Sequence, residues 1–189
     1  VDRNDKYLSH IAFVDMSKNM RKVIRVSRHT VIPLGGLGSF DEHGIFPMNI
    51  VRHGDKVYGY TCGWTRRVSV SVDTAIGLAI SSDNGSTFKR IGDGPVLSAS
   101  LKEPYLVGDG FVMIVKGVFH MWYIFGTDWK RHLPDYSPDR IYKIGHATSD
   151  DGINWVKEEA RQIVADRLQP HESQALPTVI KINSRFHMF

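Results

Sequence analysis

Cysteine is almost missing from this 189-residue chain, where Cys62 stands alone. No intrachain disulfide can form, which fits a reducing compartment such as the cytoplasm. Long apolar runs are missing too, with no stretch of about 18 apolar residues, so no membrane span is expected. The opening VDRNDKYLSH has no apolar signal core and no initiator Met. Charge of one sign never accumulates: the net charge is +4, but acids and bases are interspersed. That argues against a nucleic-acid binder, which concentrates its basic residues. Disorder is excluded by a composition that is 42% hydrophobic and 23% charged, enough to bury a core.

Several chemical signatures are absent as well. There is no HExxH and no tight His/Cys cluster, so the nine histidines do not spell a zinc site. The Gly-rich run Leu34–Phe40 lacks the GxxxxGK[ST] pattern of a nucleotide loop, and no GxSxG elbow occurs. Helical periodicity is nearly absent; Glu158–Asp166 reads as strand and loop.

What is present is a repeat. FPMNIVRHGDKVYGY (Phe46–Tyr60), DGFVMIVKGVFHMWY (Asp109–Tyr123) and LPTVIKINSRFHMF (Leu176–Phe189) each read as strand, polar turn and aromatic-rich strand, the pattern of a β-hairpin. The FHM triplet at Phe119–Met121 returns at Phe186–Met188, 67 residues on. Between the hairpins lie SSDNGSTF (Ser81–Phe88) and TSDDGINW (Thr148–Trp155), which align Asp83 with Asp150. HIAFVD, ending at Asp15, reads as a degenerate first copy. In these turns Asp and Ser/Thr side chains can bond amides while Gly takes the positive φ.

Each unit therefore reads as a four-stranded antiparallel sheet of about 65 residues, a propeller blade. The fold class expected is all-β, a β-propeller with about three blades' worth of chain: a half blade over 1–30, blades over 31–95 and 96–165, and a half blade over 166–189. The chain is expected to start on a third strand and stop on a second. It reads as a fragment, or as one of two chains that complete a ring. A two-sheet sandwich is the competing reading, opposed by the shared register at three elements.

Up-and-down strands sort the residues by face. The Asp turns and the turns His53–Lys56 and Val115–Val118 fall on one end and read as structural. The starts of the inner strands fall on the other. There Asp41, Glu42 and His43 precede Pro47, His171 and Glu172 precede Pro177, and Asp109 precedes Gly110. Glu42 and Glu172 both sit five residues before their proline. The same end receives Trp64, Arg66 and Arg67 from one link, and Asp128, Trp129, Lys130, Arg131 and His132 from another. Tryptophan stacks on sugar faces, and arginine forks onto carboxylates or phosphates. For each acid the alternative is capping of loop amides or pairing with arginine. His120 and His187 are read as packed, hydrogen-bonded core residues.

The Asp turns resemble the Asp-box hairpins of sialidase-type propellers. FDEHGIFPMNIVRHGDKVYGY, LVGDGFVMIVKGVFHMWYIFG and HATSDDGINW…ESQALPTVI resemble the blade pattern of the five-bladed propeller glycosidases, families 43, 32 and 62, and of the related family 130 phosphorylases. The resemblance implies a glycoside-processing enzyme acting on an oligo- or polysaccharide. It implies Glu172 as proton donor, Asp41 or Glu42 as the activator of water, and Asp109 as the tuning acid. His43, Trp64, Arg66, Arg67, Trp129 and His171 would bind substrate. It requires no cofactor, while leaving room for calcium or phosphate in the channel. Three other readings stay open: a phosphorylase that uses Arg66, Arg67 and His43 to hold phosphate, a non-catalytic carbohydrate-binding propeller, and a purely architectural module with a plugged channel. The oligomeric state is left undecided.

Overall fold

A computed structural model describes residues 7–131, 137–169 and 171–189. Its regular elements are all strands: β1 (Val14–Met16), β2 (Val23–Val26), β3 (Gly44–His53), β4 (Lys56–Arg66), β5 (Val72–Ser81), β6 (Lys89–Arg90), β7 (Val107–Val115), β8 (Val118–Lys130), β9 (Asp139–Ser149), β10 (Val156–Lys157), β11 (Val179–Ile182) and β12 (Arg185–Met188). Consecutive strands pair antiparallel without crossover. They make two complete sheets, β3-β4-β5-β6 and β7-β8-β9-β10, and two hairpins, β1-β2 and β11-β12. The chain is all-β and has the meandering sheets of a propeller.

Period-two patterning explains the main interface. Along β8, Phe119, Met121, Tyr123 and Phe125 point one way and are buried. They meet Tyr60, Ile76 and Leu78 of the preceding sheet in one apolar cluster. Burying each large side chain contributes roughly 1.5–3 kcal/mol. A second cluster, with Ile32, Ile45, Val57 and Phe88, joins the segment before β1 to the β3-β4-β5-β6 sheet through Ile11 and Phe13. The opposite side of β8 carries His120, which is half-buried and bonded to His146 at 3.1 Å. Its repeat partner His187 departs from expectation, because it is exposed on the terminal hairpin.

The turns after the third strands are built alike. Ser81 Oγ donates to Asp83 Oδ1 at 2.6 Å, and Asp83 accepts the Thr87 amide at 2.9 Å. In the next sheet Ser149 Oγ donates to Asp151 Oδ1 at 2.9 Å, and Asp151 accepts the Ile153 and Asn154 amides. The partner of Asp83 is therefore Asp151, not Asp150, because the second turn is one residue shorter between its acid and its glycine. The degenerate first copy also shifts. Ser17 bonds Asn19 at 2.7 Å in the β1–β2 turn, whereas Asp15 pairs across the hairpin with Arg25. Arg52 donates to Asn84, tying the β3–β4 turn to the Asp83 turn at the same end.

Each complete sheet also carries a buried ionic clamp. Asp41, in the loop before β3, is fully buried against Arg90 of β6. Glu103, in the loop before β7, is fully buried against Lys157 of β10 at 2.8 Å. Glu103 also accepts the Tyr123 hydroxyl and the Ala160 amide. Arg90 and Lys157 lie 67 residues apart, so the clamp is part of the repeat. Asp41 is thus a blade clamp, shut away from solvent.

Removing one partner of such a pair strands a buried charge. Glu103→Ala is expected to lower stability by about 3 kcal/mol in urea titrations, with part recovered in the double variant that also carries Lys157→Met. The Asp turns predict an acid response. Hydrogen bonds from Ser81 and Thr87 hold Asp83 at about 2, and the Asn154 and Ile153 amides hold Asp151 well below the usual range. Both folded values lie under the unfolded value of about 3.9. Their stabilisation is complete above about pH 4 and is lost as pH falls toward 2. Thermal melts of the Asp83→Asn, Asp151→Asn double variant are expected to lose less between pH 4 and 2 than the parent.

Candidate functional site

The inner strands β3 and β7 break register near their starts, between Ile45 and Met48 and between Gly108 and Phe111. Each break inserts extra residues that turn a side chain out of the ladder. The residues displaced are Phe46–Pro47 and Asp109–Gly110. Asp109 adopts φ 49, and Leu176, just before Pro177, adopts φ 50. Phe46, Asp109 and Leu176 are thus matching positions of three successive units, and all three line one cavity of about 690 Å3. One is an acid and two are apolar. Tyr7, Cys62, Trp64, Arg140 and Tyr142 complete much of the wall.

Asp109 is half-buried. Burial pushes its carboxyl above the usual aspartate range, against the lowering effects of the Leu176 amide, Arg140 and the Cys62 thiol. Cys62 is pushed up to about 12 by burial and then by the Asp109 charge. Trp64 is held in place by its indole N–H, which donates to Ser9 Oγ at 2.7 Å. His43 stacks on Trp64 with centroids 5.9 Å apart, and the Arg66 guanidinium lies over the same indole at 5.4 Å. Arg66 also donates to the Tyr7 carbonyl. His43, Trp64 and Arg66 thus form one stacked group, with Trp64 on the cavity wall. Arg67 pairs with Asp73, and with Trp129 it lines a separate depression beyond Val72 and Leu106.

The expected convergence of three acids is not what the chain forms. Asp41 is buried with Arg90, as described. Glu42 turns back to accept the Gly38 amide at 2.7 Å. Glu172 accepts the Leu168 amide at 2.6 Å and the Arg167 amide at 3.1 Å. The Leu168 amide and the Gln174 side chain hold its carboxyl below the usual range. The shared spacing of Glu42 and Glu172 from proline therefore marks two loop caps. Glu172 lies with His171, Lys130 and Arg140 in an adjoining depression of about 570 Å3. Arg140 and Tyr142 form the wall common to that depression and the Asp109 cavity. His132 lies outside the described residues.

Sequence reasoning passed over Cys62, Arg140 and Tyr142. Cys62 lies two residues before Trp64 on β4, on the same face, and that spacing was the available signal. Arg140 and Tyr142 open β9, whose start shares the end occupied by the inner-strand starts. A further cavity of about 600 Å3 lies at the opposite end, where its Asp15 and Arg25 are already paired. Among the described residues no group of three or more His, Cys, Asp or Glu could hold a metal ion. Asp109 beside Arg140 does not fit calcium, which takes six to eight oxygens.

No protein-family model matches the chain. An uncharacterised protein of Mycobacterium tuberculosis, present in two strains, is 29% identical over 138 residues, covering 73% of this chain and 44% of its own length. The chain thus spans less than half the length of the curated relatives it matches. Among solved structures, BT0996 in a complex with RGII superposes with a TM-score of 0.65 at 16% identity, over 94% of this chain and 55% of that protein. The Bombyx mori GH32 β-fructofuranosidase, solved with sucrose, gives 0.60 at 15% identity, over 82% and 30%. A GH130 structure, from a family of mannoside phosphorylases containing hydrolases of β-1,2 mannosidic linkages, gives 0.57 at 21%, over 76% and 42%. This is the propeller fold of the glycosidases. In that propeller the Asp109 cavity sits where the inner strands begin.

The raised carboxyl of Asp109 has a stability consequence. A folded value above the unfolded one means the ionised group opposes folding as pH rises through it. Asp109→Asn is expected to raise the melting temperature at pH 7. The advantage should vanish below about pH 3, under the usual aspartate range, as scanning calorimetry across pH will read.

Proposed function

We propose that this propeller processes glycosides, with Asp109 protonating the departing glycosidic oxygen. The observation that supports it is a half-buried carboxyl, pushed toward its protonated form, in a cavity rimmed by Trp64, Tyr7 and Phe46. A general acid near neutral pH needs that upward push. The aromatic rim suits the apolar face of a sugar ring, and Arg140 beside Asp109 suits a developing negative charge.

The nucleophile would arrive from the adjoining depression. In hydrolysis, Oε1 of Glu172, which accepts from the Gln174 side chain while Oε2 caps the loop, would orient water there. A pair of carboxylates flanking the bond, separated by about 6.5–9.5 Å in inverting enzymes, is what that chemistry uses. Phosphorolysis is the second reading, favoured by a specific placement. Lys130, Arg140 and His171 line the same depression, and three cationic or protonatable side chains suit phosphate. The cluster replaces Arg66, Arg67 and His43 in that role, because those three are engaged around Trp64 and Asp73. Carbohydrate is the partner under either reading.

The test is product analysis on a panel of gluco-, manno-, galacto- and fructo-oligosaccharides, with and without inorganic phosphate. Release of reducing sugar that Asp109→Asn lowers by 100-fold or more supports the acid role, within the about 10²–10⁴-fold that acid–base catalysis contributes. Hydrolysis should then fall with Glu172→Gln, and phosphorolysis with Arg140→Ala. Saccharide binding without turnover in parent and variants alike would instead make the propeller a binding module.

A further inference from the structure

We infer that Phe46 is the platform on which the cavity seats its substrate, and that this substrate is an uncharged sugar ring laid with its C–H face on the phenyl. This seating rests on the glycoside reading proposed above and adds to it a named residue and a substrate class.

Phe46 reaches the cavity through a fault in its strand. On β3, Ile45 pairs with Gly63 and Met48 pairs with Thr61, so Phe46 and Pro47 together stand opposite Cys62. Two residues against one make a bulge, which re-aims a side chain. Ile45 is buried, and Ile45 and Met48 both pack in the second apolar cluster. Phe46 between them is 67% exposed and lines the cavity that holds Asp109. Among the described residues no other ring packs on it. Tyr7, 72% exposed, and Leu176, 54% exposed, line the same cavity. Single apolar side chains at a surface are ordinary, but three gathered in one cavity mark a binding surface.

Trp64 is the stronger stacking residue by type, yet its ring is already engaged. His43 stacks on it, the Arg66 guanidinium lies over it, and its N–H is donated to Ser9. Trp64 therefore holds the rim together, and Phe46 is the ring left open to a ligand.

The walls state the occupant's chemistry. The charged side chains lining the cavity are Asp109 and Arg140, one of each sign, so the pair attracts neither anion nor cation strongly. A lipid chain or an apolar peptide would cover that pair and leave it without hydrogen bonds, which is costly. A sugar ring meets both demands. Its C–H face suits the phenyl, and the hydroxyls at its edge can bond Asp109, Arg140 and the Tyr142 hydroxyl. A uronate would bring a second carboxylate to Asp109 with no second cation on the wall.

The test is saturation-transfer NMR with cellobiose, mannobiose, lactose, sucrose and digalacturonate. The full chain carries Asp109→Asn, which keeps each sugar uncut, and the parent is run alongside. At least one neutral disaccharide is expected to bind, and digalacturonate to bind at least about tenfold more weakly. Phe46→Ala is expected to weaken the neutral sugar about five- to tenfold, the size of an aromatic stacking contact. Phe46→Tyr keeps the ring and is expected to stay within about twofold of the parent. Should Phe46→Ala fail to fold, Phe46→Leu, apolar but without a ring, takes its place. Unchanged affinity in the ring-less variant overturns the inference, as does an equal loss in Phe46→Tyr, or digalacturonate binding as tightly as the neutral sugars. Where a sugar is cleaved, the ring-less variant should raise KM by the same factor and leave kcat within about twofold. Binding without turnover would defeat the acid role of Asp109 and leave the platform standing. Turnover whose KM ignores Phe46 would refute the platform alone. A chain that binds none of the five overturns both.

Discussion

A carboxylate shut away from water must be given a cation and donors, or folding stalls on its desolvation. Asp41 and Glu103 meet that constraint in the same manner, each reaching from the loop ahead of an inner strand to a base on the outermost strand. The clamp spans a whole sheet, from its innermost approach to its outer edge. It fixes where the inner strand begins, and hence where the register break of β3 or β7 falls. The loop before β11 is held differently. Lys143 of β9 donates to the Glu172 carbonyl and pairs with Asp166, each at 2.6 Å, so the preceding sheet supplies the anchor. In all three cases an ionic contact between distant parts of the chain places the residue that faces the cavity.

With that frame in place, similar carboxyls meet different fates. Asp41 and Glu103 are matched by bases. Glu42 and Glu172 are matched by amides of their own loops. Asp109 has one amide, one thiol and the flank of an exposed arginine. Its burial therefore outweighs its partners, whereas for Glu172 the hydrogen bonds outweigh burial. The two groups are driven in opposite directions across the wall formed by Arg140 and Tyr142. Opposed environments are what separate an acid from a base in one site. Under the proposed function, that is the division of labour which Asp109 and Glu172 would take.

The repeat was legible because it is written in residues with few alternatives. Glycine and aspartate mark the turns, aromatics mark the second strands, and alternation marks the faces. From these came the strand order, the end at which the inner strands start, and the structural nature of the Asp turns. Three things were not legible. The exchange of Asp151 for Asp150 depends on which amides a shorter turn leaves open. The matching distances of Glu42 and Glu172 from proline showed a shared role, but not whether the carboxylates point to the channel or back to their loops. The pairing of Asp41 with Arg90 spans 49 residues and required the sheet itself. Cys62 was weighed as a redox marker, although its place two residues from Trp64 put it on the cavity side.

The positions that matter most to the cavity are those where the repeat is kept in backbone and broken in side chain. Phe46, Asp109 and Leu176 occupy one place in three units, and the sheets aim them at one volume. Had all three been acids, mutual repulsion and shared water would have made an ion trap of the site. The acid that stands between these two apolar positions is half-buried, and burial lifts its pKa. Repetition supplies the aim, and the departure from repetition leaves a single carboxyl there, lifted by burial.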